Sequence, residues 1–325
     1  MQRRTFIAAS VGAAAALAFP SLRAQTLPSG PIRIIVGFAP GGGTDILSRV
    51  IGQKLTAMWG NPVVVENRAG ATGMIAADYV AKQTGDGTTL LMAHINSHAI
   101  GPALLPRISY NVERDFTPIV LVGITPNLLI CNEKQPARTV KDMVVLCKKN
   151  PGKISFGSAG TGSAQHLALE MFKLAAGVDA IHVPYKGSGP MLIDLIGGQI
   201  DYSFDTMTAA TPHVKSGKVI AVAQTRQKRA AGHPTVPTMA ESGFPGFEAT
   251  TWYGLVGPAK MPAAMAKRMN EDINKVLAMP DVAEKFEQYG AEDGGGSAEK
   301  FGSFIQDEAK KWAKVVKDAG VKVEA

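Results

Sequence analysis

From Pro31 onward, short runs of β-branched and aliphatic residues alternate with stretches whose apolar positions recur at helical spacing. The run Ile32-Arg33-Ile34-Ile35-Val36 predicts a strand, and Leu47, Val50, Ile51, Leu55 and Met58 then mark one face of a helix. Val63-Val64-Val65 predicts the next strand, followed by a turn over 67–73, a helix through Ile75, Tyr79 and Val80, and a strand over 88–92. Strands alternating with helices predict an α/β protein with parallel sheet.

Residues 116–131 break this rhythm: they form one apolar passage interrupted only at Gly123 and Pro126, too long for an ordinary strand and suited to crossing between lobes. A second series follows, with strands predicted at 154–156, 181–183, 201–204 and 219–223, a helix aligned on Leu167, Met171 and Leu174, and another after Pro190. Residues 250–256 form a second extended apolar passage. Beyond it only helices are predicted, over 262–278, 282–289 and 298–319. Helices without new strands need a sheet to cover, so the chain is predicted to return to the first lobe. The expected organisation is a discontinuous lobe 1 (25–124 and 252–325), a lobe 2 (125–251) and a ligand cleft between them.

The amino terminus changes the setting. Arg3 and Arg4 lead into an apolar run of roughly 14 residues that ends near Leu22-Arg23-Ala24, short of the ~20 residues of a membrane span, so 1–24 reads as a removable export signal. The twin arginine is compatible with either the Tat or the Sec route. Removal of Arg3, Arg4 and Arg23 lowers the net charge from +7 to +4. Lysines cluster mainly in the last predicted helix, around Lys310, Lys311, Lys314 and Lys317, where Asp307, Glu308 and Asp318 are interleaved, which reads as a solvated face and not a nucleic-acid patch. Cys131 and Cys147 are the only cysteines; export permits a disulfide without requiring one, and no metal site is predicted.

Candidate chemistry collects at strand-to-helix junctions. Gly37-Phe38-Ala39-Pro40-Gly41-Gly42-Gly43-Thr44-Asp45 would let backbone approach a ligand, with Thr44 or Asp45 available to cap a helix whose free amides attract an anion. Its spacing is not that of a dinucleotide loop, and no cofactor is predicted. The second series repeats the device in Gly157-Ser158-Ala159-Gly160-Thr161-Gly162-Ser163-Ala164-Gln165-His166. Asn96 and Ser97 lie at one strand end, and Asp205 at another, where a carboxylate could accept from a ligand hydroxyl or ammonium. His94 and His98 have i, i+4 spacing but lack the intervening Glu of a zinc protease, and Arg68 is as readily a structural ion-pair residue as an anion ligand. No nucleophile elbow is present and no catalytic residue is nominated.

At these residues the sequence resembles the Bug receptors, the substrate-binding proteins of tripartite tricarboxylate transporters. The resemblance rests on Ile35-Val36-Gly37-Phe38-Ala39-Pro40-Gly41-Gly42 with Asp45, Glu66-Asn67-Arg68-Ala69-Gly70, the second glycine-rich segment with His166, and His182-Val183-Pro184-Tyr185-Lys186-Gly187. It implies a type II periplasmic-binding-protein fold, two α/β lobes joined by two crossing strands, closing like a flytrap on a small carboxylate. By motif matching it assigns Phe38, Ala39, Gly42 and Asp45 to the first loop, Ser158, Ala159, Thr161 and Ser163 to the second, and ligand selection to Asp205. Thr44, Asn96, Ser97 and Gly160 join them as ligand-binding candidates. Pro40 and the third glycine, Gly43, depart from the family pattern and alter that loop.

The reading is therefore a monomeric periplasmic receptor, not an enzyme, handing a di- or tricarboxylate, an acidic amino acid or an aromatic acid to membrane transporter subunits. Its rivals are an exported hydrolase or isomerase using Asp45, Asp205 or His166, and a receptor serving a membrane sensor.

Overall fold

A computed structural model describes residues 27–105 and 108–319, the last three without their side chains. The proposed export signal lies outside them. The first series runs β1 (Ile32–Val36), α1 (Gly43–Trp59), β2 (Val63–Asn67), α2 (Met74–Ala81), β3 (Thr89–His94), α3 (Gly101–Leu104) and β4 (Phe116–Asn132). The second runs α4 (Val140–Lys149), β5 (Ser155–Ser158), α5 (Ala164–Ala176), β6 (Ile181–Pro184), α6 (Ser188–Gly197), β7 (Tyr202–Thr206), α7 (Met207–Lys215) and β8 (Val219–Gln224). The chain finishes with β9 (Thr250–Pro258), α8 (Ala263–Leu277), α9 (Pro280–Gln288) and α10 (Ala298–Ala319).

The sheet is mixed, where alternation alone predicted a parallel one. β1 pairs in parallel with β2 and β3, and β5 in parallel with β6 and β7. The long strands run the other way: β9 is antiparallel to β3 and β4, and β4 is antiparallel to β7 and β8. The 17-residue β4 belongs to both halves. Its register with β9 ends at Pro126 opposite Thr250, and its register with β7 begins at Asn127 opposite Thr206. Pro126 has no N–H to donate, so the sheet changes partners where a ladder bond is already missing. Asn127 then ties the crossings together: its Nδ2 donates to Ala249 O (3.1 Å) and its backbone N–H to Thr225 Oγ1 (2.9 Å).

Side-chain alternation builds a core on each face of each half-sheet. Ile32, Ile34 and Val36 of β1 meet Leu47 and Ile51 of α1 and Met269 and Ile273 of α8. Ile35 and Leu91 face the other way, toward Ala76 and Val80 of α2 and Phe301, Ile305 and Trp312 of α10. The carboxyl-terminal helices thus cover the first half-sheet. In the second half, Leu129, Phe156, Phe172, Tyr202 and Phe204 form one core, and Leu128, Ile130, Met191 and Leu195 the other. Cys131 and Cys147 are free thiols buried in the aromatic core, and burial pushes both up to about 11.

Local details differ from the sequence expectations. Residues after the strand end at His94 form a π-helical turn, Asn96–Ile100, which the sequence reading did not anticipate; one wide turn of this kind is a frequent irregularity beside functional sites. Helix α6 begins at Ser188, two residues ahead of Pro190, because proline is tolerated in a first turn whose N–H groups have no intrahelical acceptor. Helix α4 was not anticipated.

Candidate functional site

Three strand-to-helix turns meet at the seam between the half-sheets. The first joins β1 to α1. Its helix starts from Gly42 in extended backbone with no side-chain cap, contrary to the expectation that Thr44 or Asp45 would cap it, so the first amides of α1 keep their free donors. The Asp45 side chain is occupied elsewhere: it accepts from Gly41 N (3.1 Å), from Asn67 Nδ2 (3.0 Å) and from Arg49 Nε (3.0 Å). Burial pushes its carboxyl up, but Arg49, the Gly41 amide and Asn67 outweigh that and hold it below the usual carboxylate range. Asn67 also donates to Phe38 O (3.0 Å), so one amide at the end of β2 fixes both ends of the turn.

The second turn joins β5 to α5. Here Ser163 does cap its helix, accepting from His166 N (3.2 Å). His166 Nδ1 accepts from Gly162 N (3.1 Å), and its ring stacks on His182 with centroids 3.9 Å apart and planes 13° from parallel. Ser158 Oγ meets His182 Nε2 at 2.6 Å and accepts from Gly160 N (3.1 Å). Burial lowers both histidines, His182 to about 3, so the pair is neutral at physiological pH. Two neutral rings can stack face to face, where two imidazolium rings would repel.

The third turn, from β6 to α6, went unremarked as a site in the sequence although His182 to Gly187 carried part of the resemblance. Lys186 O accepts from Ala39 N at 3.1 Å, a backbone hydrogen bond between the two half-sheets. Gly189 lies so close to the first turn that a Cβ there would sit 2.1 Å from Pro40 O. Ser188 Oγ donates to Asp205 Oδ1, which also accepts from Thr206 N (2.8 Å). Asp205 Oδ2 has no hydrogen-bond partner among the described residues, and neither have the nearby buried groups Gln165 Oε1 and Tyr253 Oη. Full burial pushes the Asp205 carboxyl up to about 7 against those two hydrogen bonds and the neighbouring Gln165 side chain.

These turns enclose a cavity of about 820 Å³. From the first half, Phe38, Ala39 and the turn Gly70-Ala71-Thr72 line it, with Met74, Leu104 and Leu105 as a further wall. Ala159, Gly160, Thr161 and Gly162 close it from the second half, with Pro184, Tyr185, Lys186 and Pro190. Ala71 and Thr72 hold left-handed backbone, at φ 45° and 51°, which is strained for a β-branched residue and persists where surrounding structure imposes it. A small adjoining cavity of about 10 Å³, room for one water, lies among Gly42, Thr44, His94, Gln165, Ser188 and Tyr253.

The candidates therefore divide. Phe38, Ala39, Ala159, Gly160 and Thr161 line the large cavity, and Gly42 and Thr44 the small one. Asp45, Asn96, Ser97, Ser158, Ser163 and Asp205 are buried behind these surfaces. Asn96 Oδ1 accepts from Ala164 N (3.0 Å) and so holds the start of α5 from the opposite half, while Ser97 Oγ turns to His94 O (3.1 Å) and His98 Nδ1 (2.9 Å). His94 and His98 are buried, each lowered to about 3 by desolvation, and no group of three or more His, Cys, Asp or Glu side chains that could hold a metal ion occurs among the described residues. Arg68 stacks over Tyr79, 3.7 Å from its ring centroid, and pairs with Glu66 at 2.7 Å, outside the lining of either cavity.

Residues 47–321 match the family model described as the tripartite tricarboxylate transporter family receptor. The chain belongs to this receptor family. BugT of Bordetella pertussis is 38% identical over 312 residues, covering 96% of this chain and 95% of that one. The structure of the periplasmic binding protein BugD superposes with a TM-score of 0.87 at 35% identity, covering 91% of this chain and all (100%) of that one. Rpa4515 of R. palustris, solved with adipate, gives 0.88 at 34% identity over 91% of this chain and 99% of its own. The fold is accordingly that of the Bug-type periplasmic binding proteins, and the family is one of solute-binding receptors, not enzymes. No helix among the described residues is long and apolar enough to cross a membrane.

Proposed function

We propose that this Bug-type receptor works in the periplasm, after loss of residues 1–24, capturing a small carboxylate as a monomer and presenting it to the membrane subunits of a tripartite transporter. The observation that carries the reading is the single cavity lined by Phe38 and Ala39 from one half-sheet and by Ala159, Gly160 and Thr161 from the other. Backbone amides of glycine-rich turns hold anions without needing cationic side chains. The adipate of Rpa4515 supports a carboxylate as the guest.

In this reading residues 25–124 with 252–325 and residues 125–251 move as two bodies, hinged where β4 changes partners and where the chain re-enters β9. The Ala39–Lys186 hydrogen bond and the Pro40–Gly189 approach belong to the closed form. A guest touching both bodies binds that form more tightly and shifts the population toward it, giving a transporter a shape to read. Mass spectrometry of small molecules released from gently denatured protein should yield an unchanged carboxylic acid, and calorimetry should show it rebinding to ligand-stripped, refolded protein. Refolded protein that binds no member of a broad carboxylate panel would contradict the proposal.

A further inference from the structure

The side chains facing the large cavity are poor partners for a second negative charge. Of the residues lining it, Lys186 alone carries a charge. Thr72, Thr161 and Tyr185 add hydroxyl-bearing side chains, and everything else is glycine, alanine, proline or a larger apolar side chain. Gly101 brings the wall together: a Cβ there would lie 2.8 Å from Met74 Sδ, so Met74 stands against the start of α3, which carries Leu104 and is followed by Leu105. The amide-bearing turn Gly160-Thr161-Gly162 belongs to the other half of the molecule.

We infer that the cleft takes an acid with one carboxylate and an apolar, ring-sized or medium-chain body, in preference to di- and tricarboxylates; this rests on the carboxylate-receptor reading above. One carboxylate has a place among the turn amides with Lys186 nearby. A second, at the far end of an extended ligand, would lose water against the side chains of Met74, Leu104 and Leu105, none of which can donate a hydrogen bond in its place, and an unpaired buried carboxylate is strongly disfavoured. An aromatic ring or alkyl chain gains from the same surface by leaving water. The volume agrees: about 820 Å³ lies in the upper part of the roughly 300–1,000 Å³ range of pockets for drug-sized ligands, far more than a four-carbon diacid fills.

The test is calorimetry on ligand-stripped, refolded full-length mature protein with pairs differing only by a second carboxylate: benzoate against terephthalate, and hexanoate against adipate. The monoacid of each pair should bind at least tenfold more tightly. A diacid binding as tightly as its partner overturns the inference and leaves the receptor reading standing; binding of none of these acids or of a wider carboxylate panel removes both. Leu104→Lys, or Leu105→Lys should the first not fold, places a cation on the wall. In the variant whose circular dichroism melt matches wild type, the ratio of hexanoate to adipate affinity should fall by at least fivefold. An unchanged ratio shows that the wall does not meet the ligand's distal end and also overturns the inference.

Discussion

Asp45 and Asp205 stand behind two sides of the same seam and meet opposite fates. Asp45 sits in the first turn of α1 with Arg49 at 2.8 Å and two amide donors, and its carboxyl is held ionised below the usual range. Asp205, near the end of β7, is fully buried; Ser188, Thr206 and the neighbouring Gln165 side chain favour its ionised form, but burial outweighs them and pushes it up to about 7. Burial acts in the same direction on both; the number and charge of the donors decide the outcome. The first carboxylate is a strut that shapes a turn. The second is a buried acid whose charged form burial disfavours, linking the third turn to the sheet.

The helix starts differ in the same manner. Ser163 caps α5, whereas α1 begins at an uncapped Gly42. Two glycine-rich segments that look alike in sequence thus supply unlike surfaces: the first leaves helix amides open, and the second presents a capped turn backed by a stacked histidine pair.

The sharpest way to separate the two carboxylates is pH. Asp205 has a folded pKa above its unfolded value of about 3.9, so its contribution to stability is fully present below about pH 4 and is lost as pH rises through about 7, a change on the order of 4 kcal/mol. Asp205→Asn keeps the shape and cannot ionise. Subtracting its denaturant-derived stability from that of wild type at each pH should give a curve that falls between about pH 4 and 7. The buried histidines His94, His98 and His182, lowered to about 3, make the opposite contribution in that window, and they cancel in the difference. A flat curve would place an unseen cation or donor at Asp205.

Asp45→Ala should cost less, about 2 kcal/mol at neutral pH in urea unfolding, below the ~3–5 kcal/mol of a fully buried pair because Arg49 is half exposed. Its sign is reversed: the folded carboxyl is lowered, so the stability it supplies is present above its unfolded pKa of about 4 and is lost as pH falls through the folded value. The gap between wild type and Asp45→Ala should therefore narrow in acid. A gap that stays constant to pH 3 would mean that packing, not charge, sets the role of Asp45.

Much of the architecture was legible because apolar periodicity is a direct record of burial. Ile34 and Ile35, adjacent in sequence, serve opposite cores, as a strand covered on both faces requires. The two long apolar passages became β4 and β9, and the late helices returned to the first half-sheet. The glycine-rich segments were legible as tight strand-to-helix turns, and residues of both line one cavity, because few other residues allow such close backbone approach. What those segments do with their side chains was not. Whether Asp45 caps a helix, pairs with Arg49 or faces a guest depends on Asn67, which comes from another strand. Ser188 and Lys186 gain their places only when β6 and β7 bring the third turn to the seam. The apolar wall of Met74, Leu104 and Leu105 was hidden because a π-helical turn, unpredictable from periodicity, sets α3 against Met74.

The central claim is that a guest draws two bodies together across this seam. Ile75 on α2 is 54% exposed and Ile193 on α6 is 72% exposed, whereas the native thiols of Cys131 and Cys147 are buried, so Ile75→Cys with Ile193→Cys offers two selective spin-label sites. The distance between them, measured by double electron–electron resonance on ligand-stripped protein, should shorten and sharpen when the tightest-binding acid of the panel is added. Identical distributions with and without a saturating acid would contradict the account.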